Sequence, residues 1–142
     1  MSGFPFLRCN ERGAAALEFA IAAPILVGFI YGIAQVGMLA EASAGMQHGL
    51  GEGARHATLC VNLTATGCGV PTNTAISNKV TSSVYGTTRG TLGALIITDG
   101  PGGVGGAYKD LSLTYTQQTD FLFFQGPNVT ITRTKRVFLA ES

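Results

Sequence analysis

The chain has 142 residues, of which 46% are hydrophobic and only 12% are charged, and its formal net charge is +1. This composition is too apolar for a disordered chain and fits one small domain attached to a membrane. The near-neutral charge leaves no electrostatic footprint for nucleic acid, so nucleic acid is not expected as a partner.

A short leader precedes a long apolar segment. Arg8 and Arg12 stand just before the apolar run, which places the N-terminus on the cytoplasmic side and the bulk of the chain outside. Residues 14–40 would form about 40 Å of helix, more than the roughly 30 Å of hydrocarbon in a bilayer. We therefore predict a cytoplasmic leader (1–13), a transmembrane helix (14–40) and an exported domain (41–142).

Three fates of the apolar segment give three different proteins. As a secretory signal it ends in an A-x-A pattern at Ala42-Ser43-Ala44, and cleavage after Ala44 would release a soluble secreted binding protein. The segment exceeds the usual signal core of about 7 to 15 residues, however. A plain uncleaved anchor fits the length but leaves Glu18 unexplained, since a charge in hydrocarbon costs about 2.5–3.5 kcal/mol and calls for a partner.

The third fate is cleavage at Gly13. Gly13 precedes Ala14-Ala15-Ala16-Leu17-Glu18-Phe19, which resembles the site where a prepilin peptidase cuts type IV pilin-like precursors after a glycine. The chain is similar in particular to the TadE-like family, the pseudopilins of the tight-adherence (Flp) pilus system, through residues 12–20, 23–26, 32–37 and 52–55.

The resemblance implies a minor pseudopilin, a structural or assembly subunit of a pilus used in surface adhesion and biofilm formation. It implies cleavage between Gly13 and Ala14, and a role in processing and assembly for Glu18 and Phe19. In the family, the carboxylate at the position of Glu18 is thought to neutralise the new N-terminal amine of a neighbouring subunit. This pairing makes physical sense because a charge in a low dielectric is tolerable only when it is paired.

The resemblance also implies partners and a location. The partners are the prepilin peptidase, other Tad pseudopilins, the major Flp pilin, the inner-membrane assembly platform and the lipid bilayer. The location is the bacterial inner membrane, with a single span, a cytoplasmic N-terminus and a periplasmic C-terminal domain. Whether the subunit also enters the extracellular pilus stays open.

Small residues recur every four positions within the span and form one face of the predicted helix. Gly28 and Gly32 make a G-x-x-x-G match, and small faces let helices approach closely in lipid. The alternative is that glycine and alanine are simply common in membrane helices. Pro24 removes one backbone hydrogen bond and predicts a kink. The members of this small-residue face are Ala16, Ala20, Pro24, Gly28 and Gly32.

Beyond residue 41 the helix is predicted to continue into water, with one apolar face at Ala42, Met46, Gly49, Gly53 and Ala57. His48, Glu52 and His56 follow one another at four-residue spacing. A zinc site is conceivable from this spacing, but no H-E-x-x-H pair or further ligand accompanies it, and a solvated polar face is the preferred interpretation. We predict neither a metal nor a cofactor.

Cys60 and Cys68 flank a short polar loop on the exported side of the apolar segment. A disulfide is the natural interpretation, and in an oxidising compartment it would contribute roughly 2–3 kcal/mol. Two free thiols and a metal-binding pair are the alternatives.

The rest of the chain predicts one more helix and several strands. Pro71-Thr72-Asn73 is typical of a helix start, and Ile76, Val80 and Val84 form an apolar stripe, although the Thr and Val content leaves a strand open. Residues 92–98 predict a buried strand that ends in a turn beginning at Asp99. Residues 111–115 and 129–131 alternate apolar and polar side chains, as half-buried strands do.

The predicted fold is therefore α+β: a long N-terminal transmembrane helix extends into a small exported domain, where a second helix packs on an antiparallel sheet of three to four strands. The apolar block at residues 121–124 is either core or an exposed docking patch. Alternation places Arg133 and Lys135 on one face, where a solvated edge explains them. No motif indicates catalysis, so we predict no enzyme; a membrane-tethered enzyme with an unrecognised site is the remaining alternative.

Overall fold

The computed structural model describes residues 11–59, 62–64, 67–100, 107–121 and 124–139. Over these residues the chain forms two helices and six strands that make a two-stranded and a four-stranded antiparallel sheet. The long N-terminal helix, the second helix and the larger sheet confirm the predicted α+β class. The elements are α1 (Glu11–Ala57), β1 (Asn62–Thr64), β2 (Gly67–Gly69), α2 (Asn73–Ser83), β3 (Thr91–Leu92), β4 (Ile96–Gly100), β5 (Tyr108–Phe121) and β6 (Phe124–Phe138).

Helix α1 has 47 residues and runs through Pro24 without ending there. At 1.5 Å per residue it is about 70 Å long, roughly twice the hydrocarbon thickness of a bilayer. The predicted continuation beyond residue 40 is confirmed, and so is its apolar face. Ala42, Met46 and Ala57 are 0% exposed, and Gly49 and Gly53 are also buried. The C-terminal half of α1 therefore belongs to the core of the domain.

Helix α2 begins with the cap that the sequence predicts. The Thr72 hydroxyl accepts a hydrogen bond from the Ala75 backbone N–H at 3.2 Å, which satisfies one of the free donors at the helix start. Ile76 and Val80 are fully buried. The helix prediction is confirmed and the strand alternative is wrong. Helix α2 lies along α1, and α1 supplies most of the helical cover over the sheet.

Strand β5 is the centre of the larger sheet. Strand β6 pairs with β5 along the whole length of β5, from Tyr108 opposite Phe138 to Phe121 opposite Phe124. Strands β3 and β4 therefore share the other edge of β5. Side chains of β5 alternate between a buried face against the helices and a half-buried outer face. On the outer face the hydroxyls of Thr114 and Thr132 form a hydrogen bond of 3.1 Å. The alternation predicted for both strands is confirmed.

The core joins α1, α2 and the sheet in one cluster. Met46 and Leu50 of α1 lie among the largest fully buried side chains, together with Tyr115 and Leu111 of β5. Apolar burial of this kind supplies most of the stability of a small domain. The buried apolar residues are Ala42, Met46, Leu50, Ala54, Ala57, Ile76, Val80, Leu111, Leu113, Tyr115 and Val137.

Two local predictions are wrong. The run at residues 92–98 is two strands, β3 and β4, because the chain leaves the ladder after Leu92, and Gly93 donates its N–H to the Thr114 carbonyl at 2.7 Å. Asp99 and Gly100, predicted to begin a turn, belong to β4 instead, with Asp99 paired opposite Lys109. The rest of the predicted turn lies outside the described residues. The polar loop between the cysteines is also more regular than predicted, because β1 and β2 pair there as a short hairpin.

Candidate functional site

The N-terminal half of α1 is an apolar surface that the described chain leaves uncovered. Large side chains project from it with most of their area exposed, including Leu17 at 65%, Phe19 at 73% and Phe29 at 68%. Helix Gly13–Ala57 contains an 18-residue window of mean hydropathy 2.0, and none of that window is buried. By length and composition it is long and apolar enough to cross a membrane. Exposed apolar area on this scale indicates contact with lipid or another chain.

The residues of the predicted processing site lie together at the start of this surface. Gly13, Ala14, Glu18 and Phe19 are helical and exposed. Ala14 and Glu18 are four residues apart, so they lie one above the other on the same side of the helix. The cleavage and pairing themselves stay predictions.

The small-residue face is open along its whole length. Ala16, Ala20 and Pro24 are exposed, and Gly28 and Gly32 are half-buried. A Cβ placed on either glycine would meet no described heavy atom within 4 Å. A second helix has room to approach this face closely.

A second row of glycines lies further along α1 and is fully occupied. Gly45, Gly49 and Gly53 follow one another at four-residue spacing, and α2 with the two residues after it packs directly on them. A Cβ on Gly45 would collide with the Tyr85 backbone, and one on Gly53 would collide with the Val80 side chain. The same helix therefore already uses glycines to bring another segment close.

A polar junction ties the helix to the end of the sheet. The Gln35 side-chain amide donates to the Asp120 carbonyl at 2.9 Å, and Gln117 donates to the Gln35 side chain at the long distance of 3.5 Å. The Tyr115 hydroxyl in turn donates to Gln117 at 3.0 Å, and burial raises the pKa of Tyr115. Gln35 is 8% exposed and Gln117 is 2% exposed. The sequence signal for this junction is a lone amide, Gln35, within an apolar run.

Charged groups of the sheet are paired at its rim. Arg136 donates to both carboxylate oxygens of Asp110 at 2.8 Å, which lowers the pKa of Asp110, and it lies 4.2 Å from the centre of the Tyr108 ring. The Lys109 ammonium contacts Asp99, and this hydrogen bond lowers the pKa of Asp99. These pairs fix the end of the sheet that lies far from the exposed apolar helix.

The basic residues of β6 face the helix side of the sheet. Arg133 and Lys135 are opposite the buried Leu113 and Leu111, and both are exposed, as a solvated edge requires. Arg133 also reaches across to α1, where its guanidinium donates to the Ser43 hydroxyl at 2.8 and 3.1 Å. The sequence does not predict this bridge.

The polar side chains at the C-terminal end of α1 face α2. The His48 ring lies 3.2 Å from the Ser83 carbonyl, and Glu52 lies 4.0 Å from the Lys79 ammonium. Among the described residues no group of three or more His, Cys, Asp or Glu side chains is placed to hold a metal ion.

The predicted Cys60–Cys68 disulfide lies outside the described residues. Cys60 is not among them, and only the backbone of Cys68 is described, where it pairs opposite Leu63 in the β1–β2 hairpin. The bridge stays a prediction.

The architecture defines a class: a small α+β domain carried on one long helix whose N-terminal half is an uncovered, membrane-length apolar surface. Residues 13–55 match the family model described as TadE-like protein. The match confirms the resemblance over this segment, which is similar to the TadE-like proteins of the Tad pilus system. Neither the comparison with curated proteins nor that with solved structures gave a match.

The family and the apolar helix together indicate a membrane-anchored protein that associates with components of the Tad pilus. The matched segment ends at residue 55, so it covers α1 almost completely and stops before the sheet.

Proposed function

We propose that this chain is a minor pseudopilin of a tight-adherence pilus, with a structural or assembly role in surface adhesion and biofilm formation. It is cut by a prepilin peptidase after Gly13, held in the inner membrane by the N-terminal half of α1, and exposes its α+β domain to the periplasm. The TadE-like match over residues 13–55 carries the proposal, because it begins at the glycine that precedes the cut.

The Glu18 carboxylate is the residue on which assembly depends. It is the single acid in an otherwise apolar and exposed stretch of α1 after the cut site. An unpaired carboxylate in hydrocarbon is costly, whereas one that meets the N-terminal amine of a neighbouring subunit is neutralised. The pairing makes correct packing against a neighbour favourable, and the open face at Gly28 and Gly32 supplies the close approach.

Removal of the leader also adjusts the charge of the subunit. The leader contains Arg8, Arg12 and Glu11, and the chain that remains has equal numbers of basic and acidic side chains. A neutral subunit avoids repulsion between stacked copies.

Secretory release after Ala44 conflicts with the packing of the domain. The bond between Ala44 and Gly45 lies inside α1, with Ala42 and Met46 fully buried on either side of it. Cleavage there would remove Ala42 from the core and would separate Gln35 from its partners in β5. Such a product would lose part of its own core, which counts against the soluble binding protein.

Substitution of Glu18 tests the assembly role. Glu18→Ala is expected to insert into the membrane and to be processed, but not to co-purify with the other pilus subunits, because the neighbouring amine loses its partner. Glu41→Ala is the matched control, since Glu41 is also an exposed acid of α1 but lies beyond the apolar stretch. Normal piliation and co-purification in Glu18→Ala would contradict the pairing role.

Substitution of Gly13 tests the cut. Gly13→Leu should leave the chain at its full length, because the peptidase requires the small residue before the bond. Gly37→Leu, a change at another uncrowded glycine of α1, should be processed normally. Equal processing of the two variants would show that cleavage does not occur after Gly13.

A further inference from the structure

Two aromatic rings lie at the adjoining ends of β5 and β6, and one of them is largely exposed. Phe121 is the last residue of β5, and Phe124 is the first of β6. Their rings stack at a centroid distance of 4.9 Å, and Phe124 is 64% exposed. Phe121 is half-buried, and residues 122–123, which connect the two strands, lie outside the described residues. We call Phe121 and Phe124 the hairpin tip.

The hairpin tip lies at the end of the domain that is nearest the exposed apolar helix. Arg133, which pairs with Leu113, contacts Ser43, whereas Asp120 contacts Gln35. The contacts thus move toward the N-terminus of α1 as β5 runs toward its tip. On the N-terminal side of Gln35 most large side chains of α1 are exposed, beginning with Ile33 at 60%.

The position of the bilayer along α1 places the hairpin tip at its surface. About 20 residues of helix cross 30 Å of hydrocarbon, so a span that begins after Arg12, the last basic residue before the apolar run, ends near Ile33, within the predicted segment 14–40. Gln35 is two residues further on, at the boundary between acyl chains and headgroups. The hydrogen bond from the buried Gln35 amide to the Asp120 carbonyl holds the neighbouring Phe121 at this level.

We propose that the hairpin tip is a second membrane contact, in which Phe121 and Phe124 insert beside α1 into the boundary between headgroups and acyl chains. Aromatic and apolar side chains that meet this boundary bury their area in the lipid to a depth of about 5–10 Å. The exposed Asp120 and Gln125 next to the rings stay at headgroup level, which limits the depth. With α1 and the hairpin tip both in the membrane, the sheet is held at a fixed angle on the bilayer.

This proposal rests on membrane insertion of α1 and does not depend on cleavage at Gly13 or on a pilus. Lipid is the expected partner of the rings because the hairpin tip adjoins the apolar surface of α1. A protein partner that covers the rings is an alternative that the test distinguishes.

Tryptophan fluorescence tests the contact directly, because the chain contains no tryptophan. Phe124→Trp places a single probe in the hairpin tip, and Phe138→Trp is the matched control at the opposite end of the same hairpin, where Phe138 is 58% exposed. Each full-length variant is placed at one copy per nanodisc of phosphatidylethanolamine and phosphatidylglycerol. The lipids carry a nitroxide quencher either near the headgroup or in the middle of the acyl chain.

The expected result separates the two variants. Phe124→Trp should emit at shorter wavelength than Phe138→Trp, lose intensity with the shallow nitroxide more than with the deep one, and resist quenching by iodide. Phe138→Trp should be quenched by iodide and unaffected by the lipid nitroxides. Iodide quenching of Phe124→Trp equal to that of the control would overturn the proposal. Shielding of Phe124→Trp from both iodide and the nitroxides would also overturn it, because the ring would then lie against protein.

A second measurement needs no substitution. The wild-type chain in the same nanodiscs is photolabelled by a lipid that carries a diazirine on its acyl chain near the headgroup. The expected labels fall on α1 and on the peptide that contains the hairpin tip, with none on the peptide that contains Phe138. Labels confined to α1 would overturn the proposal.

Discussion

The two halves of α1 belong to one helix but meet different surroundings. From residue 13 to residue 34 the large side chains project outward and no described residue covers them, whereas from Gln35 to Ala57 one side of the helix is buried against α2 and the sheet. The glycines show the same contrast: Gly28 and Gly32 face open space, while Gly45 and Gly49 are tightly covered. The second half shows how this helix uses small residues once a partner is present. The first half has the same kind of face and a membrane-length apolar surface, and no described residue packs on its glycines.

The largest expected effect comes from replacing a glycine by alanine in the second half of α1, with the same replacement in the first half as the comparison. In Gly45→Ala the new methyl group would collide with the Tyr85 backbone, so the segment that follows α2 must move away from α1, at a cost of about 1–3 kcal/mol in the free energy of unfolding. In the matched variant, Gly32→Ala, nothing described lies within 4 Å, and the domain should unfold as the wild type does. Chemical denaturation of the full-length chain in nanodiscs, followed by circular dichroism, measures both. Equal destabilisation by the two variants would break the distinction between the halves.

A smaller effect is expected at the point where the two halves meet. Gln35→Ala removes the donor to the Asp120 carbonyl and leaves the side chain of Gln117 without one of its partners, at a cost of about 1 kcal/mol. Hydrogen exchange should accelerate in β5 near its tip and stay unchanged near Tyr108. Gln47→Ala, a change of the same type at an exposed position of α1, serves as the control. If exchange near the tip is equal in both variants, Gln35 does not fix the hairpin to the helix.

The smallest effect is a pH dependence of the domain alone. The Arg136 guanidinium lowers the pKa of Asp110 below its ordinary value of 3.8, so the ionised pair stabilises the fold above that value. The stabilisation is lost as the pH falls through the lowered pKa of the folded state. In Asp110→Asn the denaturation midpoint should therefore change less with pH, between about pH 5 and about pH 2, than it does in the wild type. An unchanged pH profile in Asp110→Asn would mean that this surface pair contributes nothing measurable.

Local pattern was sufficient to predict much of this architecture. The apolar length after Gly13, the face through Ala42 and Met46, and the alternation in β5 and β6 each follow from a period that a helix or strand imposes on its own residues. The Thr72 cap is local as well, because its hydrogen bond spans three residues. These features depend on near neighbours in the chain, so a single sequence reveals them.

Contacts between distant segments explain what the sequence did not reveal. Residues 92–98 have the composition of one strand, but β5 pairs with the two ends of the run and leaves the middle irregular. Gln35 is unremarkable in the sequence, and its role depends on Asp120, which lies 85 residues away. The exposure of Phe124 likewise depends on where the hairpin ends relative to α1. For the candidate site, the family pattern located Gly13 and Glu18, while the open face around them required the structure.

The N-terminal residue of the protein recovered from cell membranes tests the central claim most directly, namely that both halves of α1 stay together in the working subunit. A chain that begins at Ala14 is expected, because it keeps the membrane half, the Gln35 junction and the buried Ala42 in one helix. A chain that begins at Gly45 would contradict it, because the two halves would then have been separated by cleavage within the core.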